Sequence, residues 1–485
     1  MMSSTKKNFL YNSAYQLLIL LIPLITTPYL SRVLGANGVG TYSYYYSVSN
    51  YFVIFILLGL NNYGNRTIAK VRDCPEQLSK TFWQIYLMQF ILGIVVNFLY
   101  LFYVFFLSSN RIISFTMWLY VLSGMFDINW FFFGIEKFKL TVTRNTIIKL
   151  LTTVLIFILV KKSSDVILYC LILTGGMFLS QIVVWPYLFK EVSVVKPDFS
   201  SILVHLKPNI FLFFTVIAVS VYKIMDKIML GSMTSTVQVG YFESAEKLIN
   251  VPIALIVSLG TVMLPKISNM IVNKTEGLEE ILYKSILFAM FLSSSLCFGL
   301  MGVSKEFVPL FFGDGFETCI YLLLILLPSC LFLAFANVIR TQYLLPHQMD
   351  KVYVISAFLG AIFNMVVNLI LIPRIASLGA ATATLGSELV VCIYQCSKVR
   401  GKVPILKFVK SSIPFVVSGI VMYIFLFNLS LSSSLFLTLI FKIIIGVVLY
   451  FTVLYLLLRM FYVNEYYVVK EILCKSISRV LKRGL

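Results

Sequence analysis

Three charged side chains interrupt an apolar run in the middle of the sequence. In the stretch VYKIMDKIML, residues 221–230, the spacing places Lys223 and Lys227 on one helical face with Asp226 beside them. Ionisable groups within a membrane are costly, so each one is a candidate for a substrate or ion pathway. Two fixed ammonium groups could bind a phosphate, whereas a mixed cluster could close as a salt-bridged gate.

A second cluster follows in the next apolar run, at Glu243, Glu246 and Lys247. If a helix enters the membrane near Pro208, Lys223 lies roughly 22 Å further along at 1.5 Å per residue, in the outer half. The second cluster lies close to the same surface because its span starts there. Three lysines and three acids carry no net charge, so two interpretations stay open. The groups either fasten two helices together, or they contact a substrate, gate the path or couple an ion.

Other ionisable groups are scattered through the apolar runs or stand near their ends. They are Asp127, Glu388, Arg32, Arg66 and Arg340. Lys442 has no acidic neighbour in the sequence, so it either extends to lipid head groups or lines a groove. Near Asp127, the stretch MFDINWFFFGIEKFK predicts an interfacial aromatic belt containing Trp130, with a sugar-stacking wall as the alternative.

Several chemistries lack the residues they require. His205 and His347 are the only histidines, and both fall in predicted cytoplasmic connections, which disfavours a histidine metal site or a catalytic triad. The eight cysteines include no CxxC pair, and no phosphate-binding G-x-x-x-x-G-K-[ST] loop occurs. We therefore expect neither an enzyme nor a bound cofactor, but a secondary transporter driven by H⁺, Na⁺ or the membrane potential.

The elements that must position these groups are membrane helices. Of 485 residues, 60% are hydrophobic and 12% are charged, and the mean hydropathy is +0.94. Runs of about 20 apolar residues can each cross a bilayer, which predicts an all-α polytopic membrane protein. Fourteen spans are predicted: 9–31, 41–62, 81–107, 112–134, 145–160, 166–189, 208–230, 238–264, 284–303, 317–339, 352–372, 376–396, 408–428 and 435–458.

The net charge of +19 is distributed unevenly across these spans. The N-terminal side and its connections hold 29 of the 39 Lys and Arg residues. By the positive-inside rule, both termini are predicted to be cytoplasmic. The basic charge thus indicates topology and contact with anionic lipids, and we expect no nucleic-acid partner.

An internal repeat divides the chain. RVLGANGVGTY at 32–42 and KIMLGSMTSTVQVGY at 227–241 share Leu-Gly, then Val-Gly and a tyrosine. The spacing predicts two six-helix lobes, residues 1–190 and 208–400, related by an axis along the membrane normal. An interfacial linker at 191–207 joins them, spans 13 and 14 lie within 401–460, and 461–485 form a basic amphipathic cytoplasmic tail.

The order of several motifs resembles Wzx-type oligosaccharide flippases, relatives of MATE exporters and lipid II flippases. The resemblance rests on KNFLYNSAYQLLILLIPLITTPYLSRVLGANGVGTYSYYYSVSNYF, GLNNYGNRTIAK, FDINWFFFGIEKFK, DKIMLG with VGY, NVIRTQYLLPHQMDKVYVIS and NLILIPRIASLGAATATLGSE, over spans 1–12. It implies a V of two lobes, alternating access, and an undecaprenyl-diphosphate-linked glycan as cargo. Other polysaccharide assembly proteins are expected partners.

A diphosphate that crosses a membrane needs fixed cations. The predicted substrate-binding residues are Arg32, Arg66, Lys223, Lys227, Lys247 and Arg340, and those predicted to couple an ion or gate the path are Asp127, Asp226, Glu243, Glu246 and Glu388. A cation or drug exporter of the MATE type is the alternative, and it would need a net acidic pocket. A lipid II or teichoic acid precursor is an alternative cargo, and a membrane glycosyltransferase is disfavoured by the short outer connections.

Overall fold

The computed structural model describes residues 4–197, 201–273, 277–430 and 434–471, and the regular elements within these ranges are helices. Twelve helical segments are long and apolar enough to cross a membrane. Two of them, the first and the one at Asp350–Val399, contain two legs that meet at a kink. The predicted all-α polytopic architecture of about fourteen spans is therefore confirmed.

The helices are defined here by their residue bounds. They are α1 Ser4–Leu57, α2 Leu60–Val71, α3 Pro75–Phe102, α4 Arg111–Met125, α5 Asn129–Gly134, α6 Phe138–Leu159, α7 Val166–Ile182, α8 Trp185–Leu188, α9 Ser201–Met233, α10 Thr236–Val272, α11 Leu278–Phe312, α12 Thr318–Leu326, α13 Ser329–Ile339, α14 Asp350–Val399, α15 Ile405–Asn428 and α16 Leu435–Phe461. Single π-helical turns at Tyr103–Leu107 and Arg340–Leu344 extend α3 and α13.

Two kinks replace two of the predicted connections. In α1 the helical path breaks at Gly35, whose φ of 65° is a conformation that glycine adopts without steric cost. In α14 the break falls at Ile375 and Ala376, where predicted span 12 begins. Two predicted spans therefore merge into one bent helix at each place.

The chain divides into two compact units, Met1–Glu243 and Ser244–Leu485. Helix α10 begins in the first unit and continues in the second. The lobe boundaries drawn from the repeat, 1–190 and 208–400, stay a prediction. Residues 201–207 of the predicted linker form the first turns of α9, and residues 472–485 of the predicted tail lie outside the described residues.

An aromatic core in the first unit holds α2, α3 and α5 together. Trp130 is completely buried, stacks on Phe82 with ring centroids 5.6 Å apart, and donates its indole N–H to Gln89 Oε1 at 3.0 Å. Gly64 of α2 packs against this indole, so an added Cβ would lie 2.7 Å from it. The prediction of an interfacial belt at Trp130 was wrong, because its polar N–H has an internal partner and the ring contacts neither lipid nor solvent.

Candidate functional site

The Lys-Asp-Lys cluster of α9 separates into three different environments. Lys223 is exposed and forms no ion pair within the described part of the chain. Asp226 is 4% exposed. Lys227 Nζ lies 2.6 Å from Glu243 Oε2 of α10, and both side chains of this pair are about five-sixths buried, at 15% and 16% exposure. The two lysines are therefore not equivalent.

Glu243 connects three helices. Its Oε2 also accepts a hydrogen bond from Ser43 Oγ of α1 at 2.8 Å, which adds α1 to the contact between α9 and α10. At the start of α10, about two turns before Glu243, Thr236 Oγ1 donates a hydrogen bond to Asn37 Oδ1 at 2.6 Å. We call Ser43, Lys227 and Glu243 the ion-pair contact.

The two Val-Gly sequences of the repeat meet beside this contact. A Cβ added to Gly40 would lie 1.7 Å from the Thr236 carbonyl oxygen, and one added to Gly240 would lie 1.9 Å from the Ala36 carbonyl oxygen. Such distances leave no room for a side chain, so glycine at both positions allows the α1 and α10 backbones to touch. The repeat thus contributes both sides of one backbone contact within the first unit.

A first cavity lies between α2 and the start of α9, with a volume of about 670 Å³. Arg66 and Lys207 are its cationic residues, and both are exposed without an ion-pair partner among the described residues. The rest of the wall is aromatic and aliphatic: Tyr63, Pro208, Ile210, Phe211, Leu212 and Phe214. We call it the α2–α9 cavity.

Two buried contacts fix the walls of the α2–α9 cavity. Asn209 Oδ1 accepts a hydrogen bond from the Gly59 amide at 2.9 Å, at the point where α1 ends and α2 has not yet begun. Tyr63 Oη lies 2.8 Å from His205 Nδ1, which is 8% exposed. His205, predicted to lie in a cytoplasmic connection, is a buried residue of α9, held against α2.

A second cavity, of about 480 Å³, is lined by residues of the first unit alone. Its polar wall is formed by Asn50, Asn61, Tyr120, Ser123, Asp127, Asn129, Asn145, Lys149, Thr152, Ser180 and Gln181. Amides and hydroxyls dominate this set, so it offers hydrogen-bond donors and acceptors together. We call it the polar cavity.

The polar cavity has an internal framework of hydrogen bonds. Arg144 Nη2 donates to Asn129 Oδ1 and to Asn145 Oδ1, both at 2.8 Å. Asn129 Nδ2 donates to Gln181 Oε1 at 3.3 Å, and the Asn129 amide donates to Asp127 Oδ1 at 2.9 Å. The predicted coupling residue Asp127 therefore stands at the break between α4 and α5, facing this cavity.

The predicted residues of the second unit are dispersed. Arg340 starts a π-helical turn, donates to Asn337 Oδ1 at 2.7 Å, and lies over the Tyr353 ring. Glu388 is buried on the second leg of α14, and Glu246 and Lys247 are half-buried on α10. In the first unit, Arg32 is exposed beside the α1 kink, with Nη1 donating to the Pro28 carbonyl.

Lys442 neither reaches lipid head groups nor lines a groove. Its side chain is completely buried, and Nζ lies 2.7 Å from Glu306 Oε1 of α11. Both expectations for Lys442 were wrong, because its acidic partner is 136 residues earlier in the chain. Among the described residues, Glu306 Oε2 is buried without a hydrogen-bond partner.

Three residues that matter to these sites were missed from the sequence. The positive-inside rule groups Lys149 with the cytoplasmic charges, but Lys149 lies in the middle of α6. Lys207 was assigned to a linker, and Glu306 followed the predicted end of span 9. The one available signal in the sequence was the apolar run around Lys149, which indicates that this lysine lies within a span.

These features define a polytopic membrane transporter: apolar helices that enclose polar cavities and buried ion pairs. The chain belongs to the polysaccharide biosynthesis protein family, whose model matches residues 5–271. The predicted resemblance to flippases of this group is thereby confirmed.

Relatives of known description cover most of the chain. It is 23% identical over 410 residues to a protein of Escherichia coli (strain K12) named "Putative O-antigen transporter", which spans 82% of this chain and 97% of that protein. A shorter match, 25% identical over 164 residues and 34% of each chain, is to "Probable low-salt glycan biosynthesis flippase Agl15" of Haloferax volcanii.

Two solved structures share the fold. The lipid II flippase MurJ in an inward closed conformation matches with a TM-score of 0.69 at 17% identity, covering 93% of this chain and 99% of that one. An inward-facing multidrug resistance transporter of the MATE family matches with a TM-score of 0.55 at 12% identity, covering 80% and 99%. The predicted MATE-like and MurJ-like fold is confirmed.

Proposed function

We propose that this protein flips an undecaprenyl-diphosphate-linked oligosaccharide, a repeat unit of a cell-surface polysaccharide, from the inner to the outer leaflet of the bacterial cytoplasmic membrane. The α2–α9 cavity carries the proposal. It combines two unpaired cations with an aromatic and aliphatic wall, and a polyprenyl diphosphate has the same two chemical parts. The names of the relatives, an O-antigen transporter and a glycan biosynthesis flippase, support this cargo.

The diphosphate would be held by Arg66 and Lys207. A guanidinium binds phosphate through two parallel hydrogen bonds, and an ammonium adds a point charge. Phe211 and Phe214 are 77% and 57% exposed, so the apolar wall is accessible to an isoprenoid chain. Arg32, Lys223, Lys247 and Arg340 remain proposed contacts for later stages of the path.

The ion-pair contact would act as a gate. Opening it requires Lys227 to leave Glu243, and a passing phosphate can replace that carboxylate as the partner of the ammonium. The glycine contact at Gly40 and Gly240 allows tight closure before the next cycle. Transport would then proceed by alternating access.

The membrane potential supports the direction of transport. With a cytoplasmic N-terminus and a negative interior, a diphosphate gains roughly 2.3 kcal/mol per charge per 100 mV on moving outward. H⁺ or Na⁺ exchange, through Asp127, Asp226, Glu246 or Glu388, is the proposed additional coupling. We propose no enzymatic step and no resident cofactor.

A cation exporter of the MATE type is the competing function, since the fold is shared. A cation pocket needs net negative charge, whereas the α2–α9 cavity contains two cations and no acid. A lipid II or teichoic acid precursor would present the same diphosphate, so the cavity chemistry does not separate these cargoes.

Complementation of defined flippase-null strains tests both the function and the cargo. Arg66→Gln and Lys207→Gln should each reduce surface glycan at unchanged protein level, and the double variant should abolish it. Lys70→Gln is the matched control, because Lys70 lies one turn further on α2, is exposed and does not line the cavity. Full glycan export by the double variant would contradict the proposal. So would a wild-type protein that restores drug export but complements none of the flippase-null strains.

A further inference from the structure

We infer that the polar cavity binds an acidic sugar of the transported glycan, with Lys149 holding its carboxylate. This inference rests on the proposed function and gives it a saccharide subsite in the first unit. It concerns the head group of the cargo, whereas the α2–α9 cavity concerns its lipid diphosphate.

Lys149 lies in the middle of a membrane-spanning helix, where a charge is most costly in free energy. It lies eleven residues after Phe138 and ten before Leu159, the ends of α6, so its depth is about 16 Å from either end. No carboxylate lies within 4 Å of its ammonium, and that ammonium donates no hydrogen bond, among the described residues. An unpaired lysine at the centre of a span is costly, so an anionic ligand is the natural partner.

Two further donors in the same cavity are unused. Asn145 Oδ1 accepts from Arg144 and Ser180, and Gln181 Oε1 accepts from Asn129, which fixes the orientation of both amides. Their Nδ2 and Nε2 groups donate to no partner in the part of the chain that the structure describes. With the Lys149 ammonium, the cavity therefore presents three free donor groups on pre-oriented side chains.

The wall also contains acceptors, and these separate a sugar from a bare phosphate. The carboxylate of Asp127 and the amide oxygen of Asn50 line the cavity. A sugar hydroxyl can donate a hydrogen bond to them, whereas a fully ionised phosphate has no proton to donate. A metal cation fits poorly, because it would face Lys149.

The size of the cavity agrees with a sugar ring. About 480 Å³ lies within the range of ligand pockets, roughly 300–1,000 Å³. Tyr120 provides an aromatic wall, and its hydroxyl is fixed by donation to Asn50 Oδ1 at 2.7 Å. Gly176 brings α7 close to α6, since an added Cβ would lie 2.4 Å from Thr152 Cγ2. The wall is thus closely packed on the side that carries Lys149.

Binding to the full-length protein in phosphatidylcholine nanodiscs, measured by calorimetry, tests the inference. The probes are a glucuronic acid-containing disaccharide, the neutral disaccharide cellobiose and inorganic pyrophosphate. The acidic disaccharide should bind, cellobiose should bind more weakly, and Lys149→Met should weaken the acidic disaccharide at least about tenfold, as expected for loss of a charged hydrogen bond. Lys149→Arg should retain part of the affinity.

Matched controls separate the cavity from a general effect of substitution. Thr152→Val should weaken binding, whereas Thr153→Val should not, because Thr153 is adjacent on α6 but does not line the cavity. Lys161→Met, in the connection after α6, should also leave binding unchanged.

Three results would overturn the inference: no binding of the acidic disaccharide, equal affinity for cellobiose, or pyrophosphate binding that Lys149→Met removes and Arg66→Gln spares. None of them would touch the proposed function, which fails separately if the Arg66 and Lys207 variants still export glycan.

Discussion

Gly40 of α1 and Gly240 of α10 are in backbone contact: a Cβ added to Gly40 would lie only 2.5 Å from the Gly240 nitrogen. The two residues occupy equivalent places in the sequence repeat, after valine in each copy. The contact adjoins the ion pair of Lys227 and Glu243, so backbone packing and charge pairing act at the same position.

Gly40→Ala should prevent this contact from closing. Its methyl group would overlap the Thr236 carbonyl, and no flexible side chain can move aside. We expect loss of glycan export and faster thiol labelling of a Ser43→Cys reporter. Gly175→Ala is the control, because nothing lies within 4 Å of its added Cβ. Unchanged labelling and export in Gly40→Ala would rule out a closed state at this contact.

Charge exchange distinguishes a gate from a substrate site at Lys227. Lys227→Glu and Glu243→Lys should each abolish export, because each leaves like charges at an ion-pair distance of 2.6 Å. The double exchange should restore part of the activity if the pair itself matters. A double exchange that stays inactive would show that restoring the pair does not restore transport, which would contradict the gate. Lys223→Ala tests the exposed lysine separately and should lower export without changing protein level.

The pair between Lys442 and Glu306 is expected to be structural. Lys442→Ala leaves a buried, uncompensated carboxylate and should lower the free energy of unfolding by about 3–5 kcal/mol. The double variant Lys442→Met with Glu306→Leu should recover most of that loss, since the apolar side chains need no partner. Denaturant unfolding in detergent measures both. Lys305→Ala is the control, because Lys305 is next to Glu306 in the sequence but is exposed. A similar loss of stability in this control would mean that the ion pair is not the cause.

Asn209 is expected to hold the break between α1 and α2. Asn209→Leu removes the acceptor of the buried Gly59 amide, which should cost about 1–3 kcal/mol of stability. It should also weaken export, because α2 carries Arg66. Asn62→Ala changes an exposed side chain of α2 and should be neutral in both assays. Wild-type stability of Asn209→Leu would contradict this role.

The helical architecture could be predicted because apolar runs alone specify membrane spans. The predicted connection after Arg32 became a kink at Gly35, since glycine permits the φ that joins two helical legs directly. The partner of Lys227 was within reach of depth arithmetic, because Glu243 lies sixteen residues later on the adjacent helix. Helical rise places both at a similar height.

The cavities could not be predicted in the same way. Lys149 and Asn145 belong to one helix, but the polar cavity also needs side chains from α1, α4 and α7, and sequence gives no distances between helices. Charge counting moreover treats any lysine near a connection as a topology signal, which concealed Lys149. Trp130 was misjudged because its partner, Gln89, lies on another helix.

The buried pair of Lys442 and Glu306 constrains how the chain enters the membrane. The helix with the acid is synthesised well before the helix with the lysine, and an ionised carboxylate within a membrane is costly without a partner. The α11 segment must therefore wait beside the insertion machinery, or carry its carboxyl group protonated, until α16 arrives. Truncation before α16 should thus leave α11 poorly inserted, so a helix made late in synthesis completes the biogenesis of one made much earlier.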